Sequence, residues 1–277
     1  MRNAVRLDYP VVPAIRSLLE LCDEVVVNVG QSDDGTRELV AGIGDPRVRV
    51  LDTVWDASRG GRTLAVETDR ALAACRGAWA VYIQADEVLH ETGAALLLDK
   101  LRAWGDDPRL EGLLVDYRHF YGDVDTLVTN RHWYRREVRV VRVGPEVRSF
   151  GDAQGFRVGV EARRVRARPS GAQMFHYGWA RRAGALAGKR AAFQDLFTEH
   201  AGGAPADPPQ LDWTPGLHPF RQSHPRAALD WVAERRGGGP GIGPRELRAR
   251  DLRYYLSDWI ERLTGVRVFE YRNYVPG

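Results

Sequence analysis

The stretch Trp79–Glu91, WAVYIQADEVLHE, constrains what this chain can fold into more than any other. Trp79 to Ile83 are apolar and aromatic, with the length and composition of a buried strand. The run stops at an acidic step, Asp86-Glu87, and a helix-like stretch continues to about Trp104. Open α/β sheets bind their ligands beyond the carboxyl ends of such strands. Two adjacent carboxylates there repel each other unless a cation or a donor comes between them. A divalent metal carrying a diphosphate would do both. An acidic turn capping the next helix accounts for the same residues equally well, so the rest of the chain has to decide.

Upstream, helices and strands alternate. Val11–Cys22 predicts an amphipathic helix, with Val12, Ile15, Leu18, Leu19 and Cys22 on one face and Pro13 in its first turn. Glu24–Val29 (EVVVNV) predicts a buried parallel strand. GQSDDGT (30–36) is a polar turn, and Thr36 opens a short helix. Arg47–Asp52 predicts a strand, Thr53–Gly61 a loop ending in two glycines, and Arg62–Arg76 a helix. This order predicts a doubly wound, mostly parallel sheet.

Past Trp104, Gly112–Phe120 and Val138–Val143 are strand-like, and Phe156–Arg168 alternates as a half-exposed strand would. Ala180–His200 predicts a helix, Ala201–Pro225 a long loop, and Arg226–Arg236 and Arg245–Leu263 two further helices. The closing VRVFEYRNY predicts an extended segment packed back on the body. The expected organisation is a domain over 1–180 with a helical carboxyl-terminal extension, 181–277, packed on it.

The length of 277 residues suits one large α/β domain with a modest extension. Of 40 basic residues only Lys100 and Lys189 are lysines, which reads as compositional bias. The cluster Arg131, Arg135, Arg136, Arg139 and Arg142 comes with no recognised nucleic-acid module, so no nucleic-acid partner is expected. It reads as a solvated face or as a seat for an anionic or sugar-bearing acceptor. Cys22 and Cys75 lack metal-ligand spacing and read as small core residues in a reducing compartment. No signal peptide and no apolar run long enough to span a bilayer is present, so a cytosolic protein is expected, with peripheral membrane association left open.

GQSDDGT (30–36) and IQADEVLHE (83–91), in this order of elements, resemble two motifs of family 2 glycosyltransferases of the GT-A fold. The resemblance covers residues 1–180 and is less clear beyond. It implies a Rossmann-like α/β sheet and metal-dependent, inverting transfer of a sugar. The donor would be a nucleotide-diphosphate sugar, and the acceptor a glycan, a lipid-linked sugar or a protein. It places Arg2, Asn3, Asp33, Asp34, Arg62 and Asp86 at the donor. It places Asp86, Glu87 and His176 of FHYGW (175–179) at Mg²⁺ or Mn²⁺. Three positions depart from the family pattern. Gln84 stands where the acidic motif has its first Asp, and Gly30 where many relatives carry a base-recognising Asp. Relatives also carry a strand immediately ahead of the Arg2-Asn3 equivalent, so the sheet is expected to lack an inner strand, through a start site placed too far downstream or a truncation.

Each residue also has a plainer reading. Asp33 and Asp34 lie at a helix start, where free N–H groups favour anions, yet Asp34 suits a helix cap equally. Arg62 is a phosphate partner or an exposed helix-starting Arg. His176 is a neutral imidazole ligand or a hydrogen-bonded histidine among aromatics, with Tyr177 and Trp179 packing the site or stacking on a sugar. A general base is needed to deprotonate the acceptor hydroxyl. Asp152 in SFGDAQGF is the first candidate, with an Asx turn as its plain reading and Glu137 and Glu146 as alternatives. The rival functions are a nucleotidyltransferase, which would carry a Gly-rich basic loop near the start, and a non-catalytic binding or scaffold relative, which Gln84 and the missing first strand favour.

Overall fold

The computed structural model describes residues 1–189, 210–265, 267 and 270–277. The amino-terminal part keeps to the alternation of its sequence. Helix α1 (Val11–Leu19) buries Val11, Ala14, Ile15 and Leu18. The β-branched strand β1 (Val25–Gly30) pairs in parallel with β2 (Val48–Thr53), Val25 opposite Val48 through Gly30 opposite Thr53. Helices α2 (Thr36–Ala41) and α3 (Arg62–Ala74) alternate with these strands, so this pair is wound as expected.

The larger sheet departs from that expectation. It holds ten strands, β3 (Trp79–Val81), β4 (Glu87–Leu89), β5 (Gly112–Tyr121), β6 (Thr126–Val128), β7 (Arg136–Arg142), β8 (Val147–Phe150), β9 (Gly155–Val158), β10 (Arg163–Trp179), β11 (Leu217–Pro219) and β12 (Tyr274–Pro276). Only β5–β10 and β10–β12 pair in parallel, and the other pairings are antiparallel. The sheet is therefore mixed rather than mostly parallel. After α4 (Glu91–Trp104) no helix separates β5 from β6 and β7, or β8 from β9 and β10, and short connections return the chain antiparallel.

One expected strand is two. Phe156–Arg168 breaks at a turn where Gly159 (φ 74°) and Ala162 (φ 50°) take left-handed conformations. Beyond this turn β10 extends for 17 residues, runs through FHYGW and joins β4, β5, β9 and β12. The expected helical extension is only partly helical among the described residues. Residues 183–189, α5 (Leu229–Ala233) and α6 (Leu252–Thr264) are helices, whereas β11 and β12 thread back into the sheet against β6 and β10. Most of the expected helix Ala180–His200, and 201–209 of the expected loop, lie outside the described residues. No described helix is long and apolar enough to cross a membrane.

Leu97 of α4 packs with Leu89, Leu113, Val140 and Met174, and Leu72 of α3 packs with Val141, Phe156 and Val165. Within this apolar interior sits an ion pair. Arg139 Nη2 lies 2.8 Å from Glu87 Oε1, and both side chains are wholly out of water. Removing one partner of such a pair strands a buried charge, at a cost of about 3–5 kcal/mol, whereas an apolar replacement of both costs far less. Arg139→Ala should therefore lower the urea-denaturation free energy by about that amount. The double variant Arg139→Met/Glu87→Gln should lose clearly less. Equal losses would assign the effect of Arg139 to packing.

Candidate functional site

The site is assembled by the pairing of β4 with β10. Antiparallel register sets Glu87 opposite His176 and Val88 opposite Phe175, and the Tyr177 N–H donates to Asp86 O at 2.8 Å. Asp86 and His176, far apart in sequence, become neighbours through this ladder. Gly178 lets them meet: a Cβ there would lie 2.4 Å from His176 Nε2 and 2.9 Å from Asp86 Oδ2.

The two acidic residues part company. Glu87 turns into the protein, where its carboxylate accepts from Arg139, from the Tyr117 hydroxyl at 2.7 Å and from the Gln84 N–H at 2.9 Å. It is fully buried and does not line the cavity that Asp86 faces, so its expected place at a metal is corrected: Glu87 secures the fold. Asp86 Oδ2 lies 3.0 Å from Lys189 Nζ, 3.1 Å from Arg181 Nη2 and 3.7 Å from His176 Nε2. Burial alone would raise the Asp86 carboxyl, but nearby positive charge, Lys189 foremost, outweighs it and holds the group ionised well below the usual carboxylate range.

The proton on His176 is placed by a second histidine. Parallel pairing of β5 with β10 sets His119 opposite His176, with the two Nδ1 atoms 2.9 Å apart. His119 Nε2 lies 2.8 Å from the Tyr134 carbonyl, which can only accept, so this nitrogen carries the hydrogen. Burial, and then His176, keep His119 neutral by holding its pKa well below the histidine range. Its Nδ1 therefore accepts from His176 Nδ1–H. In neutral His176 the Nε2 lone pair is left on the side of Asp86.

These atoms border a cavity of about 1420 Å³, whose polar lining beyond the carboxyl ends of β1 and β3 includes Arg2, Asn3, Gln84, Asp86, His176 and Lys189. Arg2 Nε donates to Gln31 O at 3.1 Å, and the Asn3 N–H to Ser32 Oγ at 3.0 Å. Asn3 Oδ1 is buried with no hydrogen-bond partner among the described residues. A divalent ion would find Asp86 Oδ2 and His176 Nε2, 3.7 Å apart, as its protein ligands, with the same Asp86 oxygen already accepting from Lys189 and Arg181. Among the described residues no group of three His, Cys, Asp or Glu gathers to hold a metal, so two protein ligands are what the cavity offers.

The other expected residues are placed differently. Asp33 is exposed and pairs with Arg6 at 2.9 Å. Asp34 accepts from the Thr36 N–H at 3.1 Å, from the Thr36 hydroxyl and from the Arg6 N–H at 2.8 Å, an Asx turn ahead of α2, whose N-cap is Gly35 and carries no side-chain cap. Neither lines the cavity, and Arg62 is exposed at the first position of α3, also outside the lining. Asp152 is exposed and accepts from the Gln154 N–H at 3.3 Å in an Asx turn, but the next residue, Ala153, does line the cavity. Glu146 is exposed on the turn before β8, and Glu137 is buried. No motif in the sequence points to Arg181, Lys189 or His119. Lys189 left one trace, being one of two lysines in an Arg-dominated chain.

No family model and no curated protein matches the chain. Among solved structures, the crystal structure of S. aureus TarS 1-349 aligns over 52% of this chain and 45% of that one, at 15% identity and a TM-score of 0.35. The matched part thus spans less than half of the TarS chain.

Glu137, one of the candidate bases, offers a pH test. Burial pushes its carboxyl up from 4.5 to about 7, although Arg139 and Gln154 pull the other way. The folded state therefore holds this proton more tightly than the unfolded one. The stability that results is fully present below the unfolded pKa and is lost as pH rises through about 7. Between pH 4 and 8 the advantage of the natural protein over Glu137→Gln should shrink by roughly 3 kcal/mol in urea titrations. Parallel curves would show that Glu137 ionises normally.

Proposed function

We propose that the protein transfers a sugar from a nucleotide-diphosphate donor to a hydroxyl of a glycan, lipid-linked or protein acceptor, with inversion. The observation that carries this reading is the Asp86–His176 pair. One member is held ionised and the other is fixed by His119 in the tautomer that turns a lone pair toward the cavity. The likeness of GQSDDGT and IQADEVLHE to the motifs of family 2 glycosyltransferases supports it from the sequence side.

In this reading the donor diphosphate lies at the polar end of the cavity. Lys189 and Arg181 bring fixed positive charge to the place where negative charge grows on the leaving group, and such preorganised charge stabilises the transition state. Asn3 Oδ1 accepts a hydrogen bond from the nucleoside, and the indole of Trp179 offers an apolar face to the sugar. Asp86 and His176 would hold Mg²⁺ or Mn²⁺, which when bound adds Lewis-acid stabilisation of the phosphates. Asp152, exposed beside the cavity-lining Ala153, takes the proton from the attacking hydroxyl.

A thermal-shift screen of UDP, GDP, dTDP and CMP, with and without Mn²⁺, tests donor binding. One nucleotide should raise the midpoint in a Mn²⁺-dependent way, and Asp86→Ala should abolish the rise. No shift with any of the four, together with no nucleoside diphosphate released from common sugar donors, would favour a binding or scaffold protein. Asp152→Asn should leave the nucleotide shift intact while turnover falls by about 10²–10⁴-fold. Unchanged turnover would remove Asp152 from the reaction.

A further inference from the structure

Helix α6 is mounted with its apolar side outward. At about 100° per residue, Leu252, Leu256, Trp259 and Leu263 fall on one narrow face, a pattern that normally marks the side a helix buries. Here the four are between 58% and 71% exposed, and Tyr255 beside them is 41% exposed. The opposite side holds the helix to the body. Tyr254 and Ser257 are buried there, and Glu261 accepts from Arg135 Nη1 at 2.6 Å and from Arg267 Nε at 2.8 Å. Arg267 also donates to Thr129 O at 2.6 Å and to Trp133 O at 3.3 Å, which ties the helix to the segment between β6 and β7. Polar contacts thus fix the orientation of α6, and its leucines are left facing water.

The charges on the helix divide in the same way. Arg253 and Arg262 are exposed and lie about 90° to either side of the apolar face. Glu261 lies nearly opposite that face, and Asp258 is partly buried on the side of the body. The outward half of the helix therefore carries two arginines and no carboxylate. Leucines and a tryptophan between flanking arginines suit a helix that lies in a membrane interface, with its apolar face at the acyl boundary and its cations at the headgroups. The Trp259 indole and the Tyr255 phenol, each with an apolar body and a polar tip, suit the same boundary.

A protein partner fits this face less well. A stable interface engages about 20–30 residues a side, whereas the stripe presents Leu252, Tyr255, Leu256, Trp259 and Leu263. A second copy of the helix, parallel or antiparallel, would line both rims with arginines and bring no carboxylate to them. We propose that α6 docks the protein on an anionic lipid bilayer, with Leu252, Leu256, Trp259 and Leu263 entering the headgroup boundary and Arg253 and Arg262 meeting lipid phosphates. None of these six residues lines the cavity, so docking does not depend on the reaction assigned there.

Sedimentation of the full chain with sucrose-loaded vesicles tests the assignment. The natural chain should bind vesicles of equal parts phosphatidylcholine and phosphatidylglycerol at least about tenfold more tightly than vesicles of phosphatidylcholine alone. Arg253→Gln/Arg262→Gln should weaken binding to the anionic vesicles by about fivefold for each arginine removed, and added salt should weaken the natural chain in the same sense. Leu256→Gln/Trp259→Gln should weaken it at least about tenfold and leave the thermal midpoint unchanged, because those side chains face water. Binding to neither vesicle, equal binding to both, or binding that either double variant retains would overturn the proposal. A midpoint lowered in Leu256→Gln/Trp259→Gln would do the same, since the face would then pack against this chain. So would a natural chain that dimerises through contacts this variant loses, which would give the face to a second copy.

Discussion

A carboxylate and a guanidinium, both shut away from water, decide where the chemistry of this molecule can lie. The Glu87 N–H closes a turn on Gln84 O at 3.1 Å, and from this turn Glu87 points inward while Asp86 lines the cavity. Arg139, Tyr117 and the Gln84 amide fix Glu87 there. The same guanidinium donates through Nη1 to Gln154 O at 2.7 Å, which ties β7 to the turn carrying Asp152 and Ala153. One side chain thus braces both the segment that carries Asp86 and the turn that carries Asp152. Buried pairs of this kind contribute little net stability compared with apolar packing, so geometry is the more convincing reason for this one.

Much of the amino-terminal half was legible because its signals are local. The helical stretches of α1 and α3, the β-branched run of β1 and the acidic stop after β3 each depend on a few neighbouring residues, though α1 buries Val11 and Ala14 beside Ile15 and Leu18 rather than Val12, Leu19 and Cys22. The helix expected over Arg62–Arg76 spans Arg62–Ala74. Strand direction was not legible, since it depends on what lies between strands, and the Arg-rich connections after α4 carry no clear period. Length misled as well. β10 runs on past the expected end at Arg168 through Pro169 and Gly171, and the pairing with β5 shifts register between Pro169 and Gln173 to absorb them.

The site divides along the same line. Asp86 and His176 could be paired on paper because each sits in a recognisable stretch. Asp34 could not be settled, as an acid at a helix start serves a cap or a ligand equally well, and here both its oxygens are engaged within the chain. His119 became visible only through the β5–β10 register, which no local pattern encodes. Arg181 and Lys189 lie past the end of β10, and their reach toward Asp86 depends on how the chain leaves that strand.

The charge balance at the cavity is set by these placements. Asp86 brings one negative charge, and Lys189 and Arg181, both on the same oxygen, bring two positive ones. Neutral His119 adds none. Among the described residues, the positive charge gathered at Asp86 exceeds its own charge, and an excess in a poorly solvated cavity is costly unless an anion shares it. Burial lowers the pKa of the Lys189 ammonium, while Asp86 holds it up. An anionic ligand would relieve that excess, and a neutral one would not.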